Sequence, residues 1–146
     1  MENKYYVSDE VAHLLKQKGY NQLCDNYYDE DCLLQKPACT NYDFRNMPCL
    51  AAAPTKDEVL EWLETEHNIH IEFRMMHVKT KGDPCVINET DEYQWQRYYA
   101  ICIDDDVDNP VLQEDDDKPG HVKLHTDRLE CVNTAIKHVC KCYLLG

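Results

Sequence analysis

The sequence predicts an α+β fold, a small antiparallel sheet of two to four strands packed with two or three helices. Three observations carry that prediction. Apolar residues recur at helical spacing behind N-cap residues in three places. Apolar and polar residues alternate with period two in two further runs. The links between the strand runs are too short to hold a crossover helix, so neighbouring strands must run antiparallel.

The first helix is expected over 8–18. Ser8 or Asp9 can cap its start, Val11, Ala12, Leu14 and Leu15 make an apolar face, and Gly19 can close it. The second starts at Thr55. Its hydroxyl can accept from the backbone N–H of Glu58, and the Glu58 carboxylate can reach back to Thr55, which is a capping box. Val59, Leu60, Trp62 and Leu63 supply its buried face, and Asn68 can stop it.

Ile69, Ile71, Phe73 and Met75 then alternate with His70, Glu72, Arg74 and Met76, which is strand period. Gly82, Asp83 and Pro84 read as a turn, and 85–87 as a short strand. A second long strand follows, with Tyr93, Trp95, Tyr99, Ile101 and Ile103 on one face. A short strand over 121–124 leads to a last helix from about Asp127 to Leu144. Asp127 and Glu130 offer a second capping box there, and Leu129, Val132, Ile136, Val139 and Tyr143 fall on one stripe.

Residues 20–54 show no clear period. They hold four cysteines, three prolines and several aromatic rings. They read as an ordered but irregular segment, and a stretch of that length without regular structure is unusual in a compact domain. Either it folds around a metal or a partner, or it contains an element that periodicity does not reveal. The whole chain, 1–146, reads as one domain with its core in 55–146.

The net charge is -13, from 28 acidic and 15 basic residues. The bases are scattered, so no basic stripe exists to neutralise phosphates, and direct nucleic-acid binding is not expected. The order of helix, strands and helix is superficially similar to a double-stranded RNA-binding domain, and the acid excess argues against that function. An anionic membrane would repel the chain too. An acidic surface suits solubility, cations or a basic protein partner. No leader-like apolar stretch is present near the N-terminus, and no apolar run approaches the roughly 18–20 residues of a membrane span. The expected location is the cytoplasm. Nine cysteines are present, an odd number, which in a reducing compartment would be thiols or metal ligands.

Four features could carry chemistry. Cys24, Cys32, Cys39 and Cys49 lie in one segment, and four thiolates can hold zinc, although their gaps contain no C-x-x-C knuckle. His138, Cys140 and Cys142 form a second group. Asp104, Asp106, Asp108 and Asp115 resemble a degraded calcium loop that lacks the Gly of its sixth place and the Glu of its twelfth. The competing reading is a solvated acidic loop, because 104–117 holds eight carboxylates and no base. For catalysis, His67 and His70 flank a helix-to-strand junction, and His121 and His125 lie four apart, but no nucleophile or phosphate-loop signature is present and no catalytic residue is assigned. Finally, Trp95, Tyr98 and Tyr99 give the long strand the kind of side chains that favour interfaces, with Tyr98 on the opposite face from the other two.

Three stretches carry a resemblance. They are 7–15 with Lys16-Gln17-Lys18-Gly19-Tyr20, the run from Pro54-Thr55 through Trp62-Leu63 to Glu66-His67-Asn68-Ile69-His70-Ile71, and Ala135-Ile136-Lys137-His138 in the last helix. Together they resemble a group of small uncharacterised proteins of Bacteroides-type gut bacteria, their prophages and phages. The match covers about half the chain. It implies a mobile-element setting and an α+β fold, and it carries no activity or catalytic residue. The leading expectation is a non-enzymatic accessory protein of a bacterial or phage-infected cytoplasm. It would bind another protein, with a homodimer as one form, and could act as an anti-defence or host-takeover inhibitor that presents DNA-like charge to a basic groove. The alternatives are a zinc-stabilised domain built on 24–49 and a small enzyme with an unrecognised site.

Overall fold

A computed structural model describes residues 4–79, 93–103, 111, 112, 114, 115, 118–122, 124, 125 and 127–144. The fold is α+β, with three helices and small antiparallel sheets, as the sequence predicts. The chain divides into two compact units, Met1–His67 with Val132–Gly146, and Asn68–Cys131.

In the first unit, α1 spans Asp9–Gln17. Ser8 is its N-cap, and the Ser8 Oγ accepts from the Val11 N–H at 3.3 Å. Asp9 and Glu10 in the first turn favour the positive end of the helix dipole. Gly19 closes the end at φ 90°, a left-handed conformation that only glycine adopts freely. Val11, Ala12 and Leu15 are fully buried.

The expectation of an irregular 20–54 needs correction. The segment holds β1 (Asn26–Tyr28), β2 (Leu34–Gln35), a 3-10 turn (Asn41–Phe44) and β3 (Ala51–Ala53). The strand order is β2-β1-β3, antiparallel throughout, with Tyr27 opposite both Gln35 and Ala52. Strands this short cannot display a period. β3 has no alternation at all, because its three alanines are all buried, and it packs against α1.

The buried Asn41 side chain joins these pieces. Its Nδ2 donates to the Tyr20 carbonyl at 2.7 Å, and its Oδ1 accepts from the Ala52 N–H at 2.8 Å. Each buried backbone group thus finds a partner that no neighbouring strand supplies.

The second helix, α2, spans Lys56–His67. Its capping box is complete. The Thr55 N–H donates to Glu58 Oε1 at 2.9 Å, and the Glu58 N–H donates to Thr55 Oγ1 at 3.2 Å. Trp62 packs edge-on to Tyr20, with ring centroids 4.9 Å apart. Asn68 stops the helix at φ 55°, a conformation asparagine tolerates better than most residues.

The last helix, α3, spans Arg128–Cys142. Asp127 Oδ1 accepts from the N–H groups of Leu129 and Glu130, at 2.8 and 3.3 Å. Val132, Ala135, Ile136, Val139 and Cys140 form its buried stripe. Asn133 ties it to the start of α1, accepting from the Ser8 N–H at 3.0 Å.

The second unit is built on a long hairpin. Strand β4 (Ile69–Lys79) pairs antiparallel with β5 (Tyr93–Ile103), from Ile69 opposite Ile103 to Lys79 opposite Tyr93. Strand β6 (Val111–Leu112) pairs with the other edge of β5. Strands β7 (Glu114–Asp115) and β8 (Lys118–Val122) make a separate ribbon, so the strand expected over 121–124 begins earlier. The expected turn at 82–84 and strand at 85–87 lie outside the described residues. No helix among the described residues is long and apolar enough to cross a membrane.

Candidate functional site

Exposure changes along the β4–β5 hairpin. Near its base Ile69, Ile71, Ala100, Ile101 and Cys102 are buried. Towards its far end Met75 is 52% exposed, Met76 44% and Trp95 55%. Met75 and Met76 are consecutive, so they lie on opposite faces of the strand. Trp95 stands opposite His77 in the ladder, and their rings stack with centroids 4.7 Å apart and planes 21° from parallel. The imidazole therefore lies against one face of the indole.

The other face of the hairpin carries charge. Arg74 Nη2 donates to Glu72 Oε2 at 2.9 Å, and Tyr98 stands opposite Arg74. The Glu72 carboxylate, by hydrogen bond and charge, raises the Arg74 pKa above its ordinary value. Arg, Tyr, Trp and Met are the residue types enriched at protein interfaces. Met adds an unbranched, adaptable side chain suited to varied surfaces.

The structure sorts the three expected interface residues. Trp95 is exposed at the end of the hairpin, and Tyr98 is half-buried on the charged face. Tyr99 is corrected to a core residue. It is 1% exposed, and its ring lies near that of His125 with centroids 6.4 Å apart. Period two correctly groups Trp95 with Tyr99 on one face. It carries no information on how far along the strand burial extends. Sequence reading missed Arg74, Met75, Met76 and His77. The signal was present in two adjacent methionines, since consecutive strand positions cannot both face one core.

The four candidate zinc ligands fall into different environments. Cys24 and Cys39 are buried in an antiparallel bridge, while Cys32 and Cys49 are exposed. Burial pushes the Cys24 thiol up to about 12 and the Cys39 thiol up to about 11. Cys32 has a left-handed φ of 63°, and its Sγ donates to Asp9 Oδ2 at 3.1 Å. That hydrogen bond raises its pKa, the opposite of what a reactive thiol needs. Cys32 and Cys49 do line one groove of about 560 Å3, together with Asp9 and His13. In the second group Cys140 is buried, with its thiol pushed up to about 12, and Cys142 is exposed. Among the described residues, no three His, Cys, Asp or Glu side chains gather to share a metal.

Of the acidic-loop candidates, Asp104, Asp106 and Asp108 lie outside the described residues, and Asp115 falls in β7. Of the histidines, His67 packs edge-on to Trp62 with centroids 4.5 Å apart, His70 lies on β4, and His121 lies in β8. His125 bridges to Arg97 through the backbone and is buried. A second groove, of about 340 Å3, has Trp62 and Tyr20 in its lining and Glu58, Glu61 and Glu66 around them. Carboxylates beside aromatic rings suit a cationic group. No family model, curated protein or solved structure matches the chain.

Proposed function

We propose that this chain is a non-enzymatic accessory protein that acts by binding another protein through the far end of the β4–β5 hairpin. The observation that carries the reading is the joint exposure of Met75, Met76 and Trp95 on one pair of strands. Met75 and Trp95 share one face of these strands and Met76 lies on the other, and neighbouring exposed large apolar side chains are a mark of an interaction surface. The net charge of -13 and the carboxylates around Trp62 favour a partner with a basic surface. A phage or prophage setting, which the resemblance implies, would place the chain in the cytoplasm, where a partner-binding protein could act as an inhibitor of a host or defence protein.

The test is affinity capture from host lysate at low salt. It compares the native chain with a triple variant, Met75→Ser, Met76→Ser and Trp95→Ser. A partner held by the native chain and lost by the variant, with circular dichroism unchanged, is the expected result. Equal capture by both would remove the hairpin from the reading. No captured protein at all would remove the binding function.

A further inference from the structure

Among the described residues, β5 alone pairs with β4, which makes β4 an edge strand. The parity of the ladder fixes what that edge presents. Arg97 and His125 exchange both backbone hydrogen bonds, at 2.6 and 2.8 Å. The N–H and C=O of Arg97 therefore point away from β4. Met75, which stands opposite Arg97, is in a non-hydrogen-bonded pair, so its own N–H and C=O point away from β5. Because the ladder is regular, the same holds at every second residue. Ile71, Phe73 and Met75 all turn their backbone donors and acceptors to the outer edge. A long strand with such an edge is a template for another strand.

The side chains identify which strand fits. If β4 pairs antiparallel with β4 of a second copy about a two-fold axis at Phe73, then Phe73 faces Phe73, and Ile71 faces Met75. Glu72 then faces Arg74, twice. Phe73 is the hydrogen-bonded position, so the two Glu72–Arg74 pairs fall at the non-hydrogen-bonded positions. Side chains approach each other most closely there. Opposite charges facing each other stabilise a strand pair, and like charges destabilise it. Within one strand Glu72 and Arg74 are already 2.9 Å apart. Across the axis the four side chains would alternate in sign around a square. At physiological salt the screening length is about 8 Å, which damps the long-range repulsion between two acidic chains while the facing pairs stay in contact.

We propose that the chain forms a homodimer by antiparallel β4–β4 pairing centred on Phe73. The proposal shares Met75 with the surface at the hairpin end, but it rests on the backbone edge and on the Glu72–Arg74 pairs, which that surface does not use. A failed dimer leaves the capture experiment untouched.

Sedimentation velocity on the full chain at physiological salt tests it. The native chain is expected to dimerise with rising concentration. Glu72→Arg alone and Arg74→Glu alone each set like charges face to face at both positions, and each should weaken the dimer about tenfold or more. The double exchange, Glu72→Arg with Arg74→Glu, restores both pairs and should restore the dimer. An equimolar mixture of the two single variants should form a heterodimer, since every facing pair is then opposite in sign. A native chain that stays monomeric up to submillimolar concentration overturns the proposal. So does a dimer indifferent to the exchanges.

Discussion

Cys24 and Cys39 sit directly opposite each other, and each N–H donates to the other's carbonyl at 2.8 Å. The bridge closes the stretch that holds β1 and β2. It also buries both sulfurs, so these residues act as small apolar side chains. Alkylation should therefore discriminate. With a maleimide near neutral pH, Cys49 and Cys142 should react first, Cys32 more slowly because its hydrogen bond to Asp9 holds the proton, and Cys24, Cys39, Cys102, Cys131 and Cys140 only after denaturant is added. Peptide mapping over time reads the order. Rapid native labelling of Cys24 or Cys39 would contradict this packing.

The same burial predicts alkaline sensitivity. Cys140 has its pKa raised to about 12 and Cys131 to about 11, in each case first by burial. An unfolded thiol titrates near about 8.5. The folded state thus prefers the protonated thiol. Its contribution is complete below the unfolded value and is lost as pH rises through the folded one. Tyr28, pushed up to about 12 by burial, has the same sign. Urea unfolding midpoints should fall between about pH 8 and about pH 10, with each such thiol costing up to ~1.4 kcal/mol per pH unit. Cys140→Ala should flatten the fall, read as the difference between variant and native midpoints at the two pH values.

Asn41 serves two backbone groups from distant parts of the chain. Asn41→Ala would leave the Tyr20 carbonyl and the Ala52 N–H buried without these partners. Each should cost about 1–3 kcal/mol. The expected result is a large drop in the urea midpoint with the slope of the transition unchanged. A drop no larger than that of a surface substitution would show that water or a shifted backbone replaces the amide.

The cap of α2 gives a milder prediction. Thr55→Ala removes the acceptor for the Glu58 N–H and should cost about 1 kcal/mol. Thr55→Ser keeps the oxygen and should recover most of it. Thermal unfolding of the two variants side by side checks the pair.

Thr55 and Glu58, Ser8, and Asp127 were legible in the sequence because a cap is written within four residues. The β4 and β5 strands were legible because eleven residues each give the alternation room to show. The strands of 20–54 were not. Two or three residues hold no period, and Asn41 acquires its role only when Tyr20 and Ala52 meet it. Trp95 shows the same limit within the hairpin. Its face could be read from its position, and its exposure could not, because burial stops part-way along the strand and alternation does not say where. Among the described residues the expected small antiparallel sheet takes the form of two three-stranded sheets and a two-stranded ribbon, because strands of two or three residues such as β1, β2, β6 and β7 are too short to announce themselves.

β3 consists of Ala51, Ala52 and Ala53, all fully buried beside α1. With only a methyl group at each step, this strand has no rotamers to change when a neighbour presses on it. A bulkier residue there would have to displace main chain, whereas α1 can absorb a change by turning a leucine. Tolerance to substitution in this unit should thus be narrowest at its plainest letters, and a saturation scan would find the strictest spelling in three alanines rather than in any aromatic ring.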